Sequence, residues 1–300
     1  MKRILICGSN GLLGQRLALL FGYQTEYEVL NTSHHRSFVL NKHLFDYTQL
    51  DIANRSDVKS LVSSFRPDII INPAAMTNVD ECEIQRENAW KINVIGVENL
   101  VEAARRTGAK LIHISTDYVF DGKNGPYKEE DKPNPINYYG RTKLAGENAI
   151  ITSEIPFSII RTIVVYGVGV NVKNNFALWV YNSLQSGKNI SCVDDQNSNP
   201  TYVGDLANGI VKCVEHNGEG IFHICGAEKV SRYDFAVSIA KYFQLDSSLI
   251  KKIKTSELPQ RAERPMVTGF ITTKAEKILH HKPMNVKEGI EAMKKDMEYL

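Results

Sequence analysis

The 300-residue sequence lacks any apolar stretch that approaches the roughly 18–20 residues of a membrane-spanning helix. Its first apolar run, RILIC, is too short for the core of a secretory signal peptide and leads directly into a glycine turn, as a strand would. The net charge of +2, with acids and bases interspersed, gives no reason to expect a nucleic-acid or membrane partner. We therefore expect a soluble, cytoplasmic protein.

The sequence also lacks the cysteine patterns of disulfide-rich or metal-binding domains. Its five cysteines form no C-x-x-C pair and no even framework, so reduced thiols in a cytosolic protein are the simplest interpretation. No group of histidine, cysteine and carboxylate residues has metal-ligand spacing, and we predict no metal site. His113 and His223 lie inside the apolar runs LIHIS and FHIC, so we interpret both as core histidines.

Short apolar runs rich in β-branched residues alternate with longer stretches of helical periodicity in the first half of the chain. The strand candidates are residues 3–7, 27–31, 68–72, 110–115 and 157–162. The helix candidates between them are residues 11–21, 55–65 and 87–106. Near-continuous apolar strands separated by helices are typical of βαβ units. We therefore predict an α/β fold with a Rossmann-type, doubly wound parallel sheet.

After about residue 165 this alternation loosens. Polar loops then separate helical stretches at residues 175–185, 231–243 and 286–298. We predict a dinucleotide-binding domain over residues 1–165 and a smaller, mainly substrate-binding lobe over residues 166–300. Segments near 190–225 could return to the first domain, because FHIC at 222–225 could pair in either lobe. A ligand would lie at the carboxyl ends of the strands.

The first strand runs into GSNGLLG, which places three glycines at the start of the first helix. Glycines there allow a tight turn and a close approach of the backbone to a pyrophosphate, whose charge the helix N-terminus favours. A plain glycine turn is the alternative, but this spacing in the first βαβ unit favours a dinucleotide site. The residues assigned to the cofactor are Gly8, Asn10, Gly11, Leu12, Leu13 and Gly14.

The second strand ends without the carboxylate that an NAD-selective site normally offers to the ribose 2′-hydroxyl. The sequence NTSHHR follows instead, and Arg36 is either a partner for the 2′-phosphate of NADP or a solvated loop residue. We therefore predict NADPH as the cofactor, with NADH as the alternative. Asp51 and Ile52, which we place at the end of the third strand, could reach the adenine amino group. A helix N-terminal acid is the other interpretation of Asp51.

The segment YYGRTK contains a tyrosine and a lysine four positions apart, Tyr139 and Lys143. A helix would place them on one face and turn Tyr138 elsewhere. A tyrosine has an ordinary pKa of about 10, which makes it a poor acid or base near neutrality. A lysine ammonium within roughly 4–6 Å would favour the phenolate and lower that pKa. The spacing alone does not say that the pair reacts.

Further segments accompany this pair in a fixed order. They are NPAAMTNVD (72–80), KINVIG around Asn93, ISTDYVFDG (114–122) and YYGRTKLAGE (138–147). With the glycine turn, they resemble the extended short-chain dehydrogenase/reductase family. The segments STDYVFDG, YYG-TKLAGE, RT--VYG, NNF and DDQ---PTYVGDLA resemble the dTDP-4-dehydrorhamnose reductases within it. The matches run from residue 3 to about 210, and more thinly to Arg264.

The resemblance implies a hydride transfer from NAD(P)H to the 4-keto group of a dTDP-6-deoxy-4-keto-hexose. The product would be dTDP-L-rhamnose or a close relative, for nucleotide-sugar and cell-surface polysaccharide synthesis. By the same resemblance, Tyr139 gives a proton to the carbonyl oxygen and Lys143 tunes Tyr139 and holds the nicotinamide ribose. Thr116 then hydrogen-bonds the substrate oxygen; Ser115 beside it faces the other way along the strand.

Three further cofactor contacts are implied. Asn93 matches a helix asparagine that supports a water or the lysine, with a structural asparagine as the alternative. Ala74 and Ala75 follow the fourth strand and are small enough for the cofactor to pass over the backbone. Close packing would explain two alanines nearly as well.

On the substrate side, the candidates are Asp117, Asn175 and Arg264. An arginine fork suits a diphosphate, although Arg261 is a rival and a solvent-exposed charge is the plain alternative. Val164 stands where this family commonly has a tryptophan near the sugar, and the segment after Arg264 also departs from the usual pattern. Both departures fall on the substrate half, so the redox chemistry is better supported than the identity of the sugar.

Two other functions stay open at this point. A nucleotide-sugar epimerase would retain its NAD, whereas the basic NHHR turn favours an exchangeable NADPH. The regulatory subunit of methionine adenosyltransferase resembles the same subgroup but works as a binding partner; the presence of Thr116, Tyr139 and Lys143 favours catalysis. The sequence also leaves open whether two copies form a homodimer.

Overall fold

The computed structural model describes residues 1–40 and 44–299. The strands in this part of the chain are β1 (Lys2–Cys7), β2 (Tyr27–Ser33), β3 (Asp46–Gln49), β4 (Ile69–Asn72), β5 (Lys110–Thr116), β6 (Phe157–Thr162), β7 (Val165–Tyr166), β8 (Ile190–Val193), β9 (Asn197–Ser198), β10 (Thr201–Tyr202), β11 (Gly220–His223), β12 (Val230–Ser231) and β13 (Ile250–Ile253). Each predicted strand overlaps one of the observed strands.

The helices alternate with the strands in the first half of the chain, as predicted. They are α1 (Leu12–Gly22), α2 (Arg55–Phe65), α3 (Val79–Ile84), α4 (Arg86–Trp90), α5 (Gly96–Thr107), α6 (Tyr138–Ile151), α7 (Phe176–Gln185), α8 (Val203–Glu215), α9 (Arg232–Tyr242), α10 (Thr273–Ile278) and α11 (Val286–Tyr299). The stretch predicted as one helix at 87–106 is instead α4 and α5 joined by a π-helical turn, Lys91–Ile95. None of the described helices is long and apolar enough to cross a membrane.

Seven parallel strands form the central sheet, in the order β11-β6-β5-β4-β1-β2-β3. Strands β2 and β3 follow β1 toward one edge of the sheet, and strands β4, β5, β6 and β11 follow in turn toward the other edge. The strand order therefore reverses between β1 and β4, and the carboxyl ends of these two strands border a crevice. This confirms the predicted doubly wound parallel sheet.

The apolar strands explain why helices cover the sheet on both faces. In β1, Ile4 and Ile6 pack into one buried cluster, while Leu5 and Cys7 pack into the cluster on the opposite face. Successive side chains of a strand point to opposite faces, so a strand that is apolar at every position needs a cover on each side. Charged or polar residues at these positions would leave one face of the sheet without a core.

The segment after β3 differs from the prediction. Because β3 ends at Gln49, Asp51 and Ile52 lie beyond the strand. Asp51 is exposed, and its carboxylate accepts a hydrogen bond from the backbone N–H of Ala53 at 2.9 Å. Ile52 is buried in the core. Pairing with β2 stops at Gln49, and the chain turns there toward α2, whose first turn is capped by Asn54.

The second half of the chain returns in part to the central sheet. Strand β11, which contains Phe222 and His223 of FHIC, pairs in parallel with β6, and α8 packs against α1. Three small two-stranded sheets, β7 with β10, β8 with β13 and β9 with β12, lie in the rest. The division of the chain at residue 165 stays a prediction.

Candidate active site

A cleft of about 660 Å³ opens at the carboxyl ends of the central strands. This is the position at which open parallel sheets bind their ligands. Thirteen of the residues predicted from the sequence line it: Gly8, Asn10, Gly11, Leu12, Leu13, Gly14, Ala75, Thr116, Asp117, Tyr139, Lys143, Val164 and Asn175. Six others do not line it: Arg36, Asp51, Ile52, Ala74, Asn93 and Arg264. The roles assigned to all of them stay predictions.

The glycine turn after β1 has no room for side chains. Gly8 has a φ of +84°, and a Cβ on it would lie 2.9 Å from the Cα of Ala74. A Cβ on Gly14 would lie 2.3 Å from the carbonyl oxygen of Gly8. Ala74 is therefore the floor on which the turn packs, which agrees with the packing interpretation of this residue. Leu12, Leu13 and Gly14 at the start of α1 line the cleft, and no side chain caps the helix, so its first backbone N–H groups fit a pyrophosphate.

Asn10 fixes this turn to the loop after β2. Its amide nitrogen donates to Ser33 Oγ at 3.0 Å and to the carbonyl oxygen of Ser37 at 2.8 Å. Its amide oxygen accepts a hydrogen bond from the backbone N–H of Val39 at 3.1 Å. All polar atoms of the Asn10 side chain thus serve to join the two loops that border one end of the cleft.

That end of the cleft is basic. His34 and His35 line it with their rings 3.8 Å apart, and the exposed Arg36 follows them in the chain. Burial and the neighbouring His35 lower the pKa of His34. Asp117 is the single carboxylate among the described residues that line the cleft. The cleft therefore presents no acid at the end of β2, where an NAD-selective site would have one.

The start of α6 places the predicted tyrosine and lysine on one buried face. Asn137 caps the helix, since its side-chain oxygen accepts a hydrogen bond from the N–H of Gly140 at 2.8 Å. Tyr139 is 8% exposed and Lys143 is 1% exposed, although both border the cleft. Tyr138 is turned away from the cleft lining and lies under the guanidinium of Arg86. The structure thus brings together the two residues that the four-residue spacing selected.

Lys143 bonds to the neighbouring strand and not to the tyrosine. Its Nζ donates to the carbonyl oxygen of Ile114 at 2.7 Å and lies 3.0 Å from Nε2 of His113. Burial lowers the pKa of Lys143 to about 8, and the nearby Glu147 opposes that shift. The amine of Lys143 therefore changes its charge at a pH only slightly above neutral.

The pKa of Tyr139 is shifted in the direction opposite to that expected from the sequence. Burial raises it, and the hydroxyl of Thr116 offsets only part of the effect. Asp117, Cys82 and Tyr118 add to the rise, because a negative charge on any of them would oppose a phenolate. The physical reason is that a buried phenolate loses its hydration, while the Lys143 amine is engaged by β5. At neutral pH the phenol therefore keeps its proton.

Thr116 and Asp117 continue the wall of the cleft at the end of β5. The Thr116 hydroxyl donates to a carboxylate oxygen of Asp117 at 3.1 Å, and the Thr268 hydroxyl donates to the other oxygen at 2.7 Å. Burial raises the pKa of Asp117, and these two hydroxyls lower it. Two hydroxyl donors partly compensate the cost of burying this carboxylate.

Asn93 lies in the π-helical turn and serves the protein scaffold. Its side chain forms hydrogen bonds with the backbone N–H and C=O of Met76, at 2.8 and 3.0 Å, and donates to the Thr142 hydroxyl at 3.0 Å. It is 1% exposed and joins the loop after β4 to α6. These contacts agree with the structural alternative for Asn93.

The two remaining wall residues belong to the second half of the chain. Asn175 caps α7 by accepting a hydrogen bond from the N–H of Leu178 at 3.2 Å, and it donates to the carbonyl oxygen of Gly167 at 2.8 Å. Val164 has a φ of +44°, a left-handed conformation that a β-branched residue rarely adopts. Such strain is found where the surroundings fix the backbone, and here it lies in the cleft wall.

Arg264 is paired with a carboxylate outside the cleft lining. Its guanidinium lies 2.8 Å from Asp80, whose carboxylate also accepts hydrogen bonds from the backbone N–H groups of Arg261 and Ala262. Arg264 therefore holds its own loop against the start of α3. Its predicted contact with a diphosphate would require this pair to rearrange.

The sequence analysis missed Arg232, which does line the cleft. No carboxylate lies within 4 Å of its guanidinium in the described part of the chain, and the guanidinium stacks 5.2 Å from the ring centre of Phe176. Burial lowers its pKa. Arg232 is the first residue of α9, where the helix dipole disfavours a cation. In the sequence, the segment SRYDF places an arginine directly after a helix-capping serine. This unfavourable position for a cation could have indicated a functional role for Arg232.

Comparison with known proteins agrees with this arrangement. A family model described as the RmlD substrate binding domain matches residues 1–299. The dTDP-4-dehydrorhamnose reductase of Aggregatibacter actinomycetemcomitans is 36% identical over 295 residues, which cover 94% of this chain and 95% of that protein. Methionine adenosyltransferase 2 subunit beta of Xenopus tropicalis is 34% identical over 283 residues, which cover 92% of this chain and 82% of that protein.

A solved structure extends the likeness to three dimensions. The dTDP-4-dehydrorhamnose reductase of Bacillus anthracis, in complex with NADP, has a TM-score of 0.85 to this chain at 33% identity, over 99% of this chain and 100% of that one. The resemblance drawn from the sequence motifs is thereby confirmed. The chain belongs to the RmlD substrate binding domain family.

Proposed function

We propose that the protein is an NADPH-dependent reductase that converts the 4-keto group of a dTDP-6-deoxy-4-keto-hexose to an alcohol, giving dTDP-L-rhamnose or a close relative. The observation that carries the proposal is the convergence of Tyr139, Lys143 and Thr116 on one cleft with the glycine turn. Two relatives named as this reductase, one of them solved with NADP, support it. When bound, NADPH would supply the hydride.

The residues at the glycine turn would hold the cofactor. The cradle stays free of side chains, because a Cβ at Gly8 or Gly14 would clash with the neighbouring backbone. The exposed Arg36, which follows His34 and His35 in the chain, offers positive charge beyond the ribose. This favours the extra phosphate of NADPH over NADH. Asp51 and Ile52 are weaker candidates for the adenine, because the first is tied to Ala53 and the second is buried.

Tyr139 would supply the proton that completes the reduction. Its raised pKa keeps the phenol protonated, so the group is a proton source as the carbonyl oxygen gains negative charge. Thr116 lies beside it and would orient the same oxygen by a hydrogen bond. One hydride at carbon and one proton at oxygen together convert the ketone to an alcohol. The largely buried pair restricts water at the reacting atoms.

Arg232 would bind the diphosphate of the substrate in the place we first gave to Arg264. It faces the cleft without a carboxylate partner, and the exposed Lys173 lines the cleft as well. A guanidinium fork binds phosphate oxygens in pairs. Holding the remote diphosphate would orient the sugar carbonyl toward the nicotinamide.

The test is NADPH oxidation with a panel of dTDP-, GDP- and UDP-linked 4-keto-6-deoxy sugars. We expect activity with a dTDP sugar, a loss of at least about a hundredfold in Tyr139→Phe, and near wild-type activity in Tyr138→Phe. The second variant removes the same hydroxyl from the adjacent residue, outside the cleft. Absence of oxidation with every sugar would refute the reductase, and full activity of Tyr139→Phe would refute the proton donor.

The similarity to methionine adenosyltransferase 2 subunit beta supports a second candidate, a regulatory binding partner. Such a protein would bind a methionine adenosyltransferase and would oxidise no NADPH with the sugar panel. An epimerase would instead be purified with NAD that dialysis does not remove. The same preparation can be tested for both properties before the reductase assay. A homodimer stays a prediction, which sedimentation can check.

A further inference from the structure

The amine of Lys143 ends a chain of buried side chains that starts behind the glycine turn. Asn72 and His113 occupy facing positions on the neighbouring parallel strands β4 and β5, and neither is exposed. Nδ2 of Asn72 lies 3.2 Å from Nδ1 of His113, and Nε2 of His113 lies 3.0 Å from Nζ of Lys143. Ala74, two residues after Asn72, is the floor under Gly8.

The hydrogen bonds along this chain have one direction. The backbone N–H of Ala74 donates to Oδ1 of Asn72 at 3.2 Å, so the facing amide nitrogen of Asn72 donates to Nδ1 of His113. A neutral imidazole has one N–H and one accepting nitrogen, and an accepting Nδ1 leaves its proton on Nε2. That N–H then points at Nζ of Lys143.

An ammonium group cannot accept this hydrogen bond, because it has three donors and no lone pair. A neutral amine can accept it and still has two N–H groups, one of which donates to the carbonyl oxygen of Ile114 at 2.7 Å. With an ammonium at Nζ, two donors would face each other across 3.0 Å in a buried site. The direction of the chain therefore selects one protonation state of Lys143.

We propose that Asn72 and His113 are positioning residues that hold Lys143 in the cleft and favour its neutral amine. The proposal rests on the proposed function for its catalytic consequence, but the protonation of Lys143 can be measured without substrate. His113 thus has a role beyond the core histidine that its apolar strand suggested. Under this arrangement the charge of Lys143 changes within the pH range of a reductase assay, and the contact with His113 determines the pKa of that change.

The other charged and titratable groups near Lys143 do not replace this contact. Glu147 lies one turn further along α6 and favours the ammonium, but it is paired with Arg161 of β6 at 2.7 Å. Tyr139 lies one turn back on α6, and Asp117 follows β5 with two hydroxyl donors of its own. Burial lowers the pKa of His113 well below its ordinary value, which agrees with a neutral imidazole.

The test is an NMR titration of Lys143 in protein labelled with ¹³C-lysine, with the Lys143 signal identified by its loss in Lys143→Arg. In His113→Leu the neutral amine loses its donor, so we expect the pKa of Lys143 to rise by about one unit or more from the wild-type value near 8. Asn72→Leu should raise the pKa of Lys143 less. Without the Asn72 amide the imidazole can adopt either tautomer, and one of them still donates to the amine. The alkaline limit of the reductase pH profile should move with it.

The control is His223→Leu, which removes another fully buried histidine from the same sheet, one that contacts Tyr127 and Phe270. We expect it to leave the pKa of Lys143 unchanged. An unchanged or lowered pKa in His113→Leu would overturn the proposal, and so would an equal rise in His223→Leu. Because the titration uses no sugar, a failed reductase assay would overturn the proposed function and leave this result intact.

Discussion

The carboxylate of Glu147 lies 2.7 Å from the guanidinium of Arg161, and both side chains are almost completely buried. The two groups join α6 to β6 one helical turn after Lys143. Arg161 also stacks over Phe120, with 5.2 Å between its guanidinium carbon and the ring centre. The ion pair therefore fixes the helix that carries Tyr139 and Lys143 to the sheet beneath it.

Glu147→Gln should destabilise the protein by roughly 3–5 kcal/mol, because it leaves the buried Arg161 without a compensating charge. Urea unfolding measures this free energy. The control is Glu102→Gln, which breaks exposed pairs with Arg55 and Arg106 and should change stability little. Equal losses in the two variants would contradict the assignment of a special role to the buried pair.

Gly14→Ala should abolish most of the affinity for NADPH, because the added Cβ would lie 2.3 Å from the carbonyl oxygen of Gly8. Either the turn or the start of α1 must shift, and both border the predicted phosphate site. Gly187→Ala is the comparison, since nothing lies within 4 Å of a Cβ there. It adopts a positive φ and should cost about 1 kcal/mol of stability without weakening NADPH binding. Fluorescence titration with NADPH separates the two results.

The sequence was sufficient for the parts of the protein that depend on local patterns. The apolar strands, the glycine turn and the pair of Tyr139 and Lys143 each follow from residues close together in the chain. Their periodicity reflects burial on one or both faces, which an amino-acid pattern records directly. The central sheet was predictable for this reason, and so was the position of the glycine turn beside the cleft.

The contacts between distant segments were not predictable in this way. Arg264 and Asp80 are 184 residues apart, and nothing in either local sequence indicates their ion pair. The raised pKa of Tyr139 likewise depends on burial by several segments and on where the Lys143 amine points. The π-helical turn at Lys91–Ile95 accompanies the contacts of Asn93 with Met76 and Thr142, which no helical periodicity specifies.

Arg232→Leu should raise the KM for the dTDP sugar by about ten- to a hundredfold, which corresponds to the loss of a charged hydrogen bond. NADPH affinity should stay near that of the wild type. The same substitution should stabilise the substrate-free protein slightly, because a partly buried cation at a helix N-terminus is removed. Steady-state kinetics and thermal unfolding measure the two effects. An unchanged KM would exclude Arg232 from the diphosphate site.

Lys143 should also make stability depend on pH. Its pKa is 10.5 in the unfolded chain and about 8 in the folded protein, so below pH 8 both states hold the proton and the folded state carries a buried charge. Between these values the unfolded state binds more protons, and the free energy of unfolding rises with pH. Wild type should therefore gain roughly 3 kcal/mol relative to Lys143→Met across this interval, as measured by urea unfolding at a series of pH values.

Lys143→Arg is the matched variant for that measurement, because it also lacks a group that titrates between the two pKa values. It retains a cation where Lys143→Met has none, so the two variants differ in absolute stability at every pH. The difference in the free energy of unfolding between wild type and each variant should nevertheless rise with pH in the same way, because only wild type has the titrating amine. A pH trend that appears with only one variant would belong to another group and would contradict a lowered pKa of Lys143.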